Sequence, residues 1–391
     1  VEMKILHLIT SLQIGGAERA LCHLLKELGH TTPSMQHHVA YFHPGPVLDD
    51  IRALGIPTHH ITGLLYRYDP YAHWRLSRLI KQIKPDLIHS SLWAANIMAR
   101  LLGRQHGIPV VSALHGDCRH EGTVRNALDR RTAHLATATI AVAHGVAVAY
   151  QQQIIGAIKN PHRRHTVSNH LAIIPNGIDA TALVSNAAAH PITRTELGIS
   201  PEAFVVGAVG RLEPIKSYDV LVAAFARLRP ERATTGQAQR RPAVLVIVGG
   251  GSQQAALVEQ AQALGIDRQV ILTGSRIDAY RFYPLFDCFA LSSQSEGLSI
   301  ALLEALSFGL PIVTTNTTAT HEVLVDVVNG FIVPNNDPAA LANALFKLSA
   351  VPALKQTMGV ANRLLVSQQF SLQAQVSRYK KLFETLAKTT N

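Results

Sequence analysis

Short apolar runs alternate with longer stretches of helical spacing along most of the chain. Val205–Val209 and Cys288–Leu291 are apolar runs of strand length, each followed by a turn rich in Gly or Ser. Runs of this kind are typical of parallel strands buried on both faces. Further strands are predicted at Lys4–Ile9, Leu87–His89, Val110–Leu114 and Thr139–Val142. The alternation predicts βαβ units and an α/β fold.

The length of 391 residues exceeds what one hydrophobic core ordinarily serves, so the sequence predicts two domains. We place the first at 1–178 and the second at 179–369, with a hinge at the turn Pro175–Asp179. The segment 370–391 has helical apolar spacing over Leu372–Leu386. Two polar segments without periodicity are predicted to be long surface loops, Lys159–Asn169 and Pro230–Pro242.

Two carboxylates mark one predicted strand-to-helix connection. Glu296 follows the apolar run that ends at Leu291, and Glu304 lies in the predicted helix Ile300–Leu306. At the helical rise they would lie about 12 Å apart, which suits two parts of one extended ligand. A carboxylate accepts two hydrogen bonds from a vicinal diol, so one glutamate can hold a ribose and the other a sugar ring. The alternative is an amphipathic helix with a solvated glutamate at each end.

Three turns carry groups that suit phosphates. The backbone N–H groups of Gly297 and Leu298 precede a helix and would receive a phosphate. Arg211 and Lys216 follow a predicted strand, at the end where open α/β sheets bind ligands, and their charges suit a diphosphate. The pair Gly15–Gly16 lets backbone approach a ligand closely. Taken singly, each cation is equally explained as a surface charge, and the glycine pair as turn geometry.

Together these motifs resemble the retaining family 4 glycosyltransferases. The most specific part is Ser-x-Ser-Glu-Gly followed by Leu-Glu-Ala, which here spans Ser293–Ala305. One difference is Thr317–Ala319, where the family commonly has a Gly-containing turn before its glutamate, here Glu322. Further matching segments are Ile173–Asp179, Val246–Gly251, Ala305–Val313 and Asn329–Pro334. The resemblance covers nearly the whole chain.

The resemblance implies the GT-B fold, in which two doubly wound Rossmann-like domains face a cleft. The N-terminal domain, with the C-terminal helix 370–391 packed on it, would bind the acceptor, and the C-terminal domain would bind a nucleotide-sugar donor. The implied catalytic residues are His115, Glu296, Arg211 and Lys216. The implied donor-binding residues are Gly15, Gly16, Arg211, Lys216, Arg276, Gly297, Leu298, Ser299 and Glu304. The implied acceptor-binding residues are Glu18, Arg119 and Arg125.

The family also implies retention of the anomeric configuration, with the leaving phosphate assisting front-face attack. Glu296 would then position the donor sugar without acting as a nucleophile. Breaking the bond to the diphosphate leaves negative charge on the leaving oxygen, which preorganised cations stabilise. Because the sequence has no Asp-x-Asp pair, Arg211 and Lys216 would replace a bridging divalent ion. We therefore expect neither a metal nor another cofactor.

Positive charge is concentrated in the first predicted domain. Residues 1–178 contain 18 Lys and Arg against 10 Asp and Glu, whereas residues 179–391 contain 18 against 16. Basic residues among aromatics suit an anionic, lipid-linked saccharide or a membrane headgroup surface. A solvated helix face is the alternative, and nucleic acid is not expected because no recognisable binding module is present. Two clusters dominate: Arg67, Arg75, Arg78, Lys81 and Lys84 among Tyr66, Tyr68, Tyr71 and Trp74, and Arg119, His120, Arg125, Arg130 and Arg131.

The cysteines and the hydropathy pattern predict a location. The three cysteines are far apart and form no CxxC pair, which is typical of a reducing compartment. No apolar run reaches the roughly 18 residues that span a bilayer. We therefore expect a cytoplasmic protein, either soluble or peripheral at the inner face of the cytoplasmic membrane. His162, His165 and His170 are an alternative metal site, without the spacing of known zinc motifs.

The predicted reaction is transfer of a sugar from a nucleotide diphosphate to a hydroxyl of a glycan or lipid-linked acceptor. UDP is the family's commonest nucleotide, and such acceptors belong to cell-surface polysaccharide or lipopolysaccharide synthesis. Two alternatives stay open from the sequence. One is a sugar-nucleotide epimerase with the same two-domain architecture, and the other is a non-catalytic protein that binds nucleotide sugars or glycans.

Overall fold

The computed structural model describes residues 2–63, 70–228 and 242–388. The chain divides into two compact units. Unit 1 comprises Val1–Gly177 and Leu372–Asn391, and unit 2 comprises Ile178–Ser371. Some residues singled out above lie outside the described ranges, namely Tyr66, Arg67, Tyr68 and most of the predicted loop Pro230–Pro242.

Unit 1 contains a seven-stranded parallel sheet in the order β3-β2-β1-β4-β5-β6-β7. The strands are β1 (Met3–Ser11), β2 (Met35–His43), β3 (Thr58–His60), β4 (Leu87–Ser91), β5 (Val110–Leu114), β6 (Ala138–Ala141) and β7 (Leu171–Ile173). The helices are α1 (Gly16–Thr31), α2 (Val47–Ala53), α3 (Pro70–Ile83), α4 (Trp93–His106), α5 (Thr123–Thr132), α6 (His144–Tyr150) and α7 (Pro161–Asn169). Separate apolar clusters bury the two faces of the sheet, as the continuous apolar strands predict.

Unit 2 contains a six-stranded parallel sheet in the order β10-β9-β8-β11-β12-β13. The strands are β8 (Phe204–Val209), β9 (Ala243–Val248), β10 (Val270–Leu272), β11 (Cys288–Leu291), β12 (Ile312–Thr315) and β13 (Gly330–Val333). The helices are α8 (Ala180–Ala189), α9 (Tyr218–Phe225), α10 (Gln254–Ala263), α11 (Ile300–Ser307), α12 (Thr320–Val323), α13 (Pro338–Ala350) and α14 (Pro352–Gln369). One core cluster of this unit is apolar apart from one cysteine thiol and one tyrosine hydroxyl.

The last helix, α15 (Leu372–Lys388), belongs to unit 1. Leu372, Val376, Tyr379 and Phe383 recur at helical spacing and are buried together with residues of β1 and α1. The chain therefore returns to unit 1 after completing unit 2. None of the helices in the described ranges combines the length and the apolar character that crossing a membrane requires.

Three histidines lie at the centre of unit 1, beneath α15. His7 Nδ1 is 3.0 Å from His89 Nδ1, and His7 Nε2 is 3.0 Å from His37 Nδ1. The Phe383 ring lies 6.5 Å from the His7 ring and 5.7 Å from the His89 ring, between centroids. Burial lowers the pKa of His37 to about 4 and that of His89 to about 3, and it also lowers the pKa of His7. The cluster is therefore uncharged at neutral pH.

A buried ion pair joins α4 to α5 in the same unit. Arg100 Nη1 donates to Asp129 Oδ1 at 2.5 Å, and both side chains are almost completely buried. The Arg100 Nε donates to Ser112 Oγ at 3.2 Å, on β5. Because both charges are compensated, the pair fixes α4 and α5 against the strand that leads to His115.

The segment Lys159–Asn169 is not the predicted loop, because most of it forms α7. Asn160 caps this helix by accepting a hydrogen bond from Arg163 N at 3.1 Å. Pro161 occupies the first turn, where a missing N–H leaves no intrahelical bond unmade. Only Val167 is buried, so the helix lacks the apolar periodicity on which the prediction relied. The sequence Asn160-Pro161 is a helix-start signal, and here it indicates the helix better than the missing apolar periodicity indicates a loop.

Candidate active site

The strands of unit 2 end at one edge, where the turns after β8, β9 and β11 meet. The strand order places β8 between β9 and β11, and open α/β sheets bind ligands where successive connections run in opposite directions. A Cβ on Gly249, after β9, would lie 1.9 Å from the carbonyl oxygen of Gly210, after β8. Only glycine fits at position 249, and the edge is therefore lined by bare backbone at this point.

Lys216 and Glu296 form an ion pair at this edge. Ser293 Oγ donates a hydrogen bond to Glu296 Oε1, the oxygen that also contacts Lys216, at 2.7 Å. Ser292 Oγ donates to the Lys216 carbonyl oxygen at 2.9 Å and so ties the two turns together. Both charged side chains are mostly buried. The structure thus brings together two predicted site residues in a fixed, charge-compensated pair.

Glu304 lies in α11 with only 2% of its surface exposed. Tyr283 OH donates a hydrogen bond to Glu304 Oε2 at 2.6 Å. The Tyr283 ring stacks on Phe308, with ring centroids 5.3 Å apart, which fixes the hydroxyl. Tyr283 was not predicted from the sequence, because an aromatic residue ahead of a strand gives no signal of a bond to Glu304.

The segment between the two glutamates is only partly helical. Helix α11 begins at Ile300, and Ser299 is its N-cap, accepting a hydrogen bond from Leu302 N at 3.4 Å. The predicted separation of about 12 Å between Glu296 and Glu304 assumed a continuous helix. Because the helix begins only at Ile300, that assumption is wrong. Gly297 and the buried Leu298 lie directly before the cap, as predicted.

The two arginines predicted to bind the donor differ in their surroundings. Arg211 is exposed and forms no ion pair with any residue in the described ranges. Arg276 donates two hydrogen bonds to the Asp278 carboxylate, both at 2.8 Å, and lies over the Phe282 ring at 5.6 Å. Arg211 can therefore reach a ligand directly, whereas Arg276 is already paired.

Tyr218, at the start of α9, is a further site residue that the sequence analysis missed. It is buried, and a Cβ on Gly210 would lie 2.7 Å from its hydroxyl oxygen. Burial raises the pKa of Tyr218, and the negative charge of Glu296 raises it further. The phenol therefore remains protonated and can donate a hydrogen bond beside Gly210. The only sequence signal was its position two residues after Lys216.

Unit 1 places a second set of polar side chains at the carboxyl edge of its sheet. Ser11 Oγ, at the end of β1, donates to Glu18 Oε1 at 2.7 Å. The other carboxylate oxygen of Glu18 would lie 2.3 Å from a Cβ on Gly15, so glycine is required for Glu18 to fold back over this turn. Gly16 is the first residue of α1, and an acid in the first turn of a helix is favourable.

His115 follows β5 at the same edge of unit 1. Its Nε2 lies 3.4 Å from Ser91 Oγ, at the end of β4, and its Nδ1 is buried without a hydrogen-bond partner among the described residues. Burial lowers the pKa of His115 to about 4. The imidazole is therefore neutral at physiological pH, with one nitrogen that donates and one that accepts.

The two arginines predicted to bind the acceptor are both paired within unit 1. Arg119 donates to the Asp117 carboxylate through Nε at 3.0 Å and through Nη2 at 2.5 Å. Arg125 pairs with Glu121 and lies over the Trp93 ring, 5.2 Å from its centroid. The Arg119 side chain is half exposed, so it remains accessible despite its partner.

Two sequence families match the chain, one in each unit. Residues 14–182 match the family described as Glycosyltransferase Family 4. Residues 190–364 match the family described as Glycosyl transferases group 1. Together the two matches cover most of the chain.

Two curated relatives show how far the similarity extends. The D-inositol 3-phosphate glycosyltransferase of Salinispora arenicola is 27% identical over 301 residues, which is 71% of this chain. This chain spans only 64% of that relative's length. The UDP-Gal:alpha-D-GlcNAc-diphosphoundecaprenol alpha-1,3-galactosyltransferase of Escherichia coli is 26% identical over 352 residues, 86% of this chain and 84% of that protein.

A solved structure supports the architecture. Anabaena HepE, solved in complex with UDP-glucose, matches with a TM-score of 0.82 over 98% of this chain and 100% of that protein, at 22% identity. At that identity the likeness concerns the fold, and it confirms two Rossmann-like α/β units of the GT-B type. Since a glycosyltransferase family matches each unit and the fold agrees, the chain belongs to the family 4 glycosyltransferases.

Proposed function

We propose that this protein is a retaining, metal-independent hexosyltransferase that uses a UDP-sugar donor. The observation that carries the proposal is a pair of carboxylates in unit 2, each with a fixed partner: Glu296 on Lys216, and Glu304 on Tyr283. Fixed carboxylates suit the diols of a ribose and a sugar ring. The similar Anabaena protein was solved with UDP-glucose, which supports the choice of uridine.

Glu304 is proposed to hold the ribose. A carboxylate has about four lone-pair positions, so the bond from Tyr283 leaves capacity to accept from a vicinal diol. Because Glu304 is buried, a hydrogen bond to its charge is stronger than the same bond in water. Tyr283 fixes the carboxylate before the ligand arrives, which limits the entropy lost on binding.

Lys216 and Arg211 are proposed to receive the diphosphate. Negative charge develops on the leaving oxygen as its bond to the anomeric carbon breaks. One preorganised group that stabilises such charge contributes about 3–4 kcal/mol. Lys216 is held in place by Glu296, and the exposed Arg211 can close on the phosphates. The protonated hydroxyl of Tyr218 adds a donor beside Gly210.

Glu296 is proposed to position the donor sugar and not to attack it. Its Oε1 is shared by Lys216 and Ser293, which hold the carboxylate in one orientation. Retention would then follow from front-face attack assisted by the leaving phosphate. His115 is proposed to give the reacting sugar a hydrogen bond from a neutral ring.

We infer that the acceptor is a hydroxyl of a glycan or of an anionic, lipid-linked saccharide. Residues 1–178 carry 18 basic against 10 acidic side chains, and the Escherichia coli relative is named for a diphosphoundecaprenol-linked acceptor. Glu18, Arg119 and Arg125 are the proposed acceptor-binding residues. Such an acceptor fits synthesis of cell-surface polysaccharide or lipopolysaccharide, with the protein in the cytoplasm at the inner face of the membrane.

A thermal-shift panel of UDP, GDP, ADP and their sugar conjugates in EDTA tests the donor site. A ligand at 100 times its Kd stabilises the folded state by about 2.7 kcal/mol. We expect a shift with uridine nucleotides that persists in EDTA and is lost in Glu304→Ala. The matched control is Glu259→Ala, which removes an exposed glutamate from α10 and should keep the shift. No shift with any nucleotide would overturn the donor assignment.

Product analysis tests the reaction. We expect UDP release that depends on a saccharide acceptor, and a product whose anomeric proton shows the donor's configuration by NMR. Conversion of UDP-GlcNAc without any acceptor would indicate an epimerase instead. A covalent glycosyl adduct on Glu296, seen by mass spectrometry, would contradict its positioning role.

A further inference from the structure

Helix α3 presents an exposed face that the proposed reaction does not use. Tyr71 is 71% exposed and Trp74 is 58% exposed on this face. Every other Trp, Tyr and Phe side chain in the described ranges is buried or half-buried. Two largely exposed aromatic side chains within four residues of each other are typical of an interaction surface.

The same face carries only positive charge. Arg75, Arg78, Lys81 and Lys84 are all exposed, and residues 70–85 contain no Asp or Glu. The Arg78 guanidinium lies over the Trp74 ring, 5.9 Å from its centroid. Charge and aromatic surface thus form one continuous patch, which we call the α3 face.

The opposite side of α3 is anchored in the core of unit 1. Ala72, Leu76, Ile80 and Ile83 are buried in a cluster that includes residues of β1, β4 and α4. The helix is therefore amphipathic and rigidly mounted, and the α3 face is available without any rearrangement.

A shallow hollow of about 490 Å³ lies where α3 ends. Lys81, Lys84 and His106 line it together with three apolar or Pro residues. Burial lowers the pKa of His106, and its Nε2 lies 2.8 Å from Ser77 Oγ, so the two lysines supply the positive charge. Two ammonium groups on a hollow open to solvent suit a phosphate group.

We propose that the α3 face docks unit 1 on the surface of an anionic lipid bilayer. Tyr71 and Trp74 would sit at the level of the headgroups, where amphipathic rings are favoured, and the hollow at Lys81 and Lys84 would receive a lipid phosphate. Each cation near an anionic leaflet strengthens binding about fivefold. The biological role of this docking rests on the proposed function, because a lipid-linked acceptor would lie in such a membrane surface. The docking itself does not depend on catalysis.

Helix α7 provides a matched comparison in the same unit. Lys159 and Arg163 are exposed there, and residues 159–169 contain neither an acid nor a Trp, Tyr or Phe. If net charge alone attracted the protein, removing two cations from either segment would weaken binding equally. The proposal requires α3 to dominate, because only α3 combines charge with aromatic rings.

The test is cosedimentation of the full chain with vesicles of phosphatidylcholine alone or with added phosphatidylglycerol. We expect binding only to the anionic vesicles, weakened about 25-fold in Arg78→Gln/Lys81→Gln for two lost charges and weakened also in Trp74→Gln. The control Lys159→Gln/Arg163→Gln should bind like the unmodified protein. Trp74 emission should shift to the blue on binding, and Trp74→Phe should remove the shift. UDP binding, measured on the same variants, should be unchanged. A protein that binds vesicles but not UDP would contradict the proposed donor site and leave the docking proposal intact.

Three results would overturn the proposal. One is the absence of binding to anionic vesicles at low salt. Another is an equal loss in the α3 and α7 variants, which would indicate attraction by net charge. The third is binding without a Trp74 blue shift, which would place the contact elsewhere on the protein.

Discussion

The two units bury polar groups in different places. In unit 2 the polar groups of the candidate site follow the strands, as the Lys216–Glu296 pair and the Tyr283–Glu304 bond. In unit 1 the sheet itself carries His7, His37 and His89 at its centre. Both units thus carry polar groups at the carboxyl edge of the sheet, and unit 1 in addition encloses a polar histidine cluster within its sheet.

Burial alone therefore does not mark a functional group. The two carboxylates of unit 2 each have a fixed hydrogen-bond donor, Lys216 for Glu296 and the Tyr283 hydroxyl for Glu304. The histidines of unit 1 are neutral because burial lowers the pKa of each ring. The first arrangement prepares a charged site for a ligand, whereas the second makes the stability of unit 1 depend on pH.

Lowering the pH should reduce the stability of unit 1 much more than that of unit 2, and this is the largest effect that we expect. A histidine whose folded pKa lies below the unfolded value of about 6.5 stabilises the fold above that pH, and the contribution is lost as the pH falls through it. Each of His7, His37 and His89 then lowers the free energy of unfolding by up to about 1.4 kcal/mol for each pH unit below the unfolded pKa. Urea titrations by tryptophan fluorescence measure this, because Trp74 and Trp93 both lie in unit 1.

A pair of variants checks the source of that pH dependence. His7→Leu should lower stability at neutral pH, because two ring nitrogens lose their partner, and should reduce the pH dependence by about one proton. The control is His190→Gln, at the exposed end of α8 in unit 2, which should leave the tryptophan transition unchanged. A transition midpoint that does not move between about pH 7.5 and pH 5 would contradict the assignment.

Removing the cation of the unit 2 pair should have the largest effect on catalysis. Lys216→Ala removes the charge proposed to stabilise the leaving diphosphate, and we expect kcat to fall about 10²–10³-fold. The matched control is Lys355→Ala, which removes one of the two cationic partners of Asp287, 2.7 Å away in the same unit, and should leave kcat nearly unchanged. Steady-state kinetics with a fixed acceptor compares them. Equal losses in the two variants would show that Lys216 has only a structural role.

Loss of the Tyr283 hydroxyl, which bonds Glu304, should have a smaller effect than loss of the Lys216 ammonium group. Tyr283→Phe removes a 2.6 Å hydrogen bond to a buried carboxylate, a contact worth about 1.5–3 kcal/mol. We expect UDP affinity, measured by calorimetry, to fall by about tenfold or more. Tyr280→Phe, on the same segment but without a bond to Glu304, is the control. Unchanged affinity in Tyr283→Phe would separate Glu304 from nucleotide binding.

The smallest expected effect is on the stability of unit 2, from a strained backbone residue outside the candidate site and the histidine cluster. Val327, in the turn before β13, has φ of 67°, a left-handed conformation that is rare for a β-branched residue. Val327→Gly should relieve the strain and stabilise unit 2 by about 1 kcal/mol, after the entropy that glycine adds to the unfolded chain. The neighbouring Val325→Gly has no such strain to relieve and should destabilise. Thermal unfolding of both variants decides between them.

Much of the fold around the site follows from local sequence. The predicted strand Val110–Leu114 coincides with β5, and Cys288–Leu291 coincides with β11. These elements were predictable because a strand buried on both faces is a continuous apolar run. Helix α7 was missed for the opposite reason, since a helix with one buried residue leaves no periodic signal and shows only its Asn160 cap.

Local sequence was enough to predict most of the strands and helices, the family, and four residues of the candidate site, but not α7, Tyr218 or Tyr283. Local spacing selects helix or strand, Glu296, Arg211 and Lys216 lie in turns that follow strands of a parallel sheet, and Glu304 lies in helix α11 directly afterwards. Only the tertiary structure decided which groups are partners. Lys216 meets Glu296, Tyr283 meets Glu304, and His7 joins His37 to His89 across strands. Charge, protonation and exposure depend on those long-range contacts, so no reading of neighbouring residues could supply them.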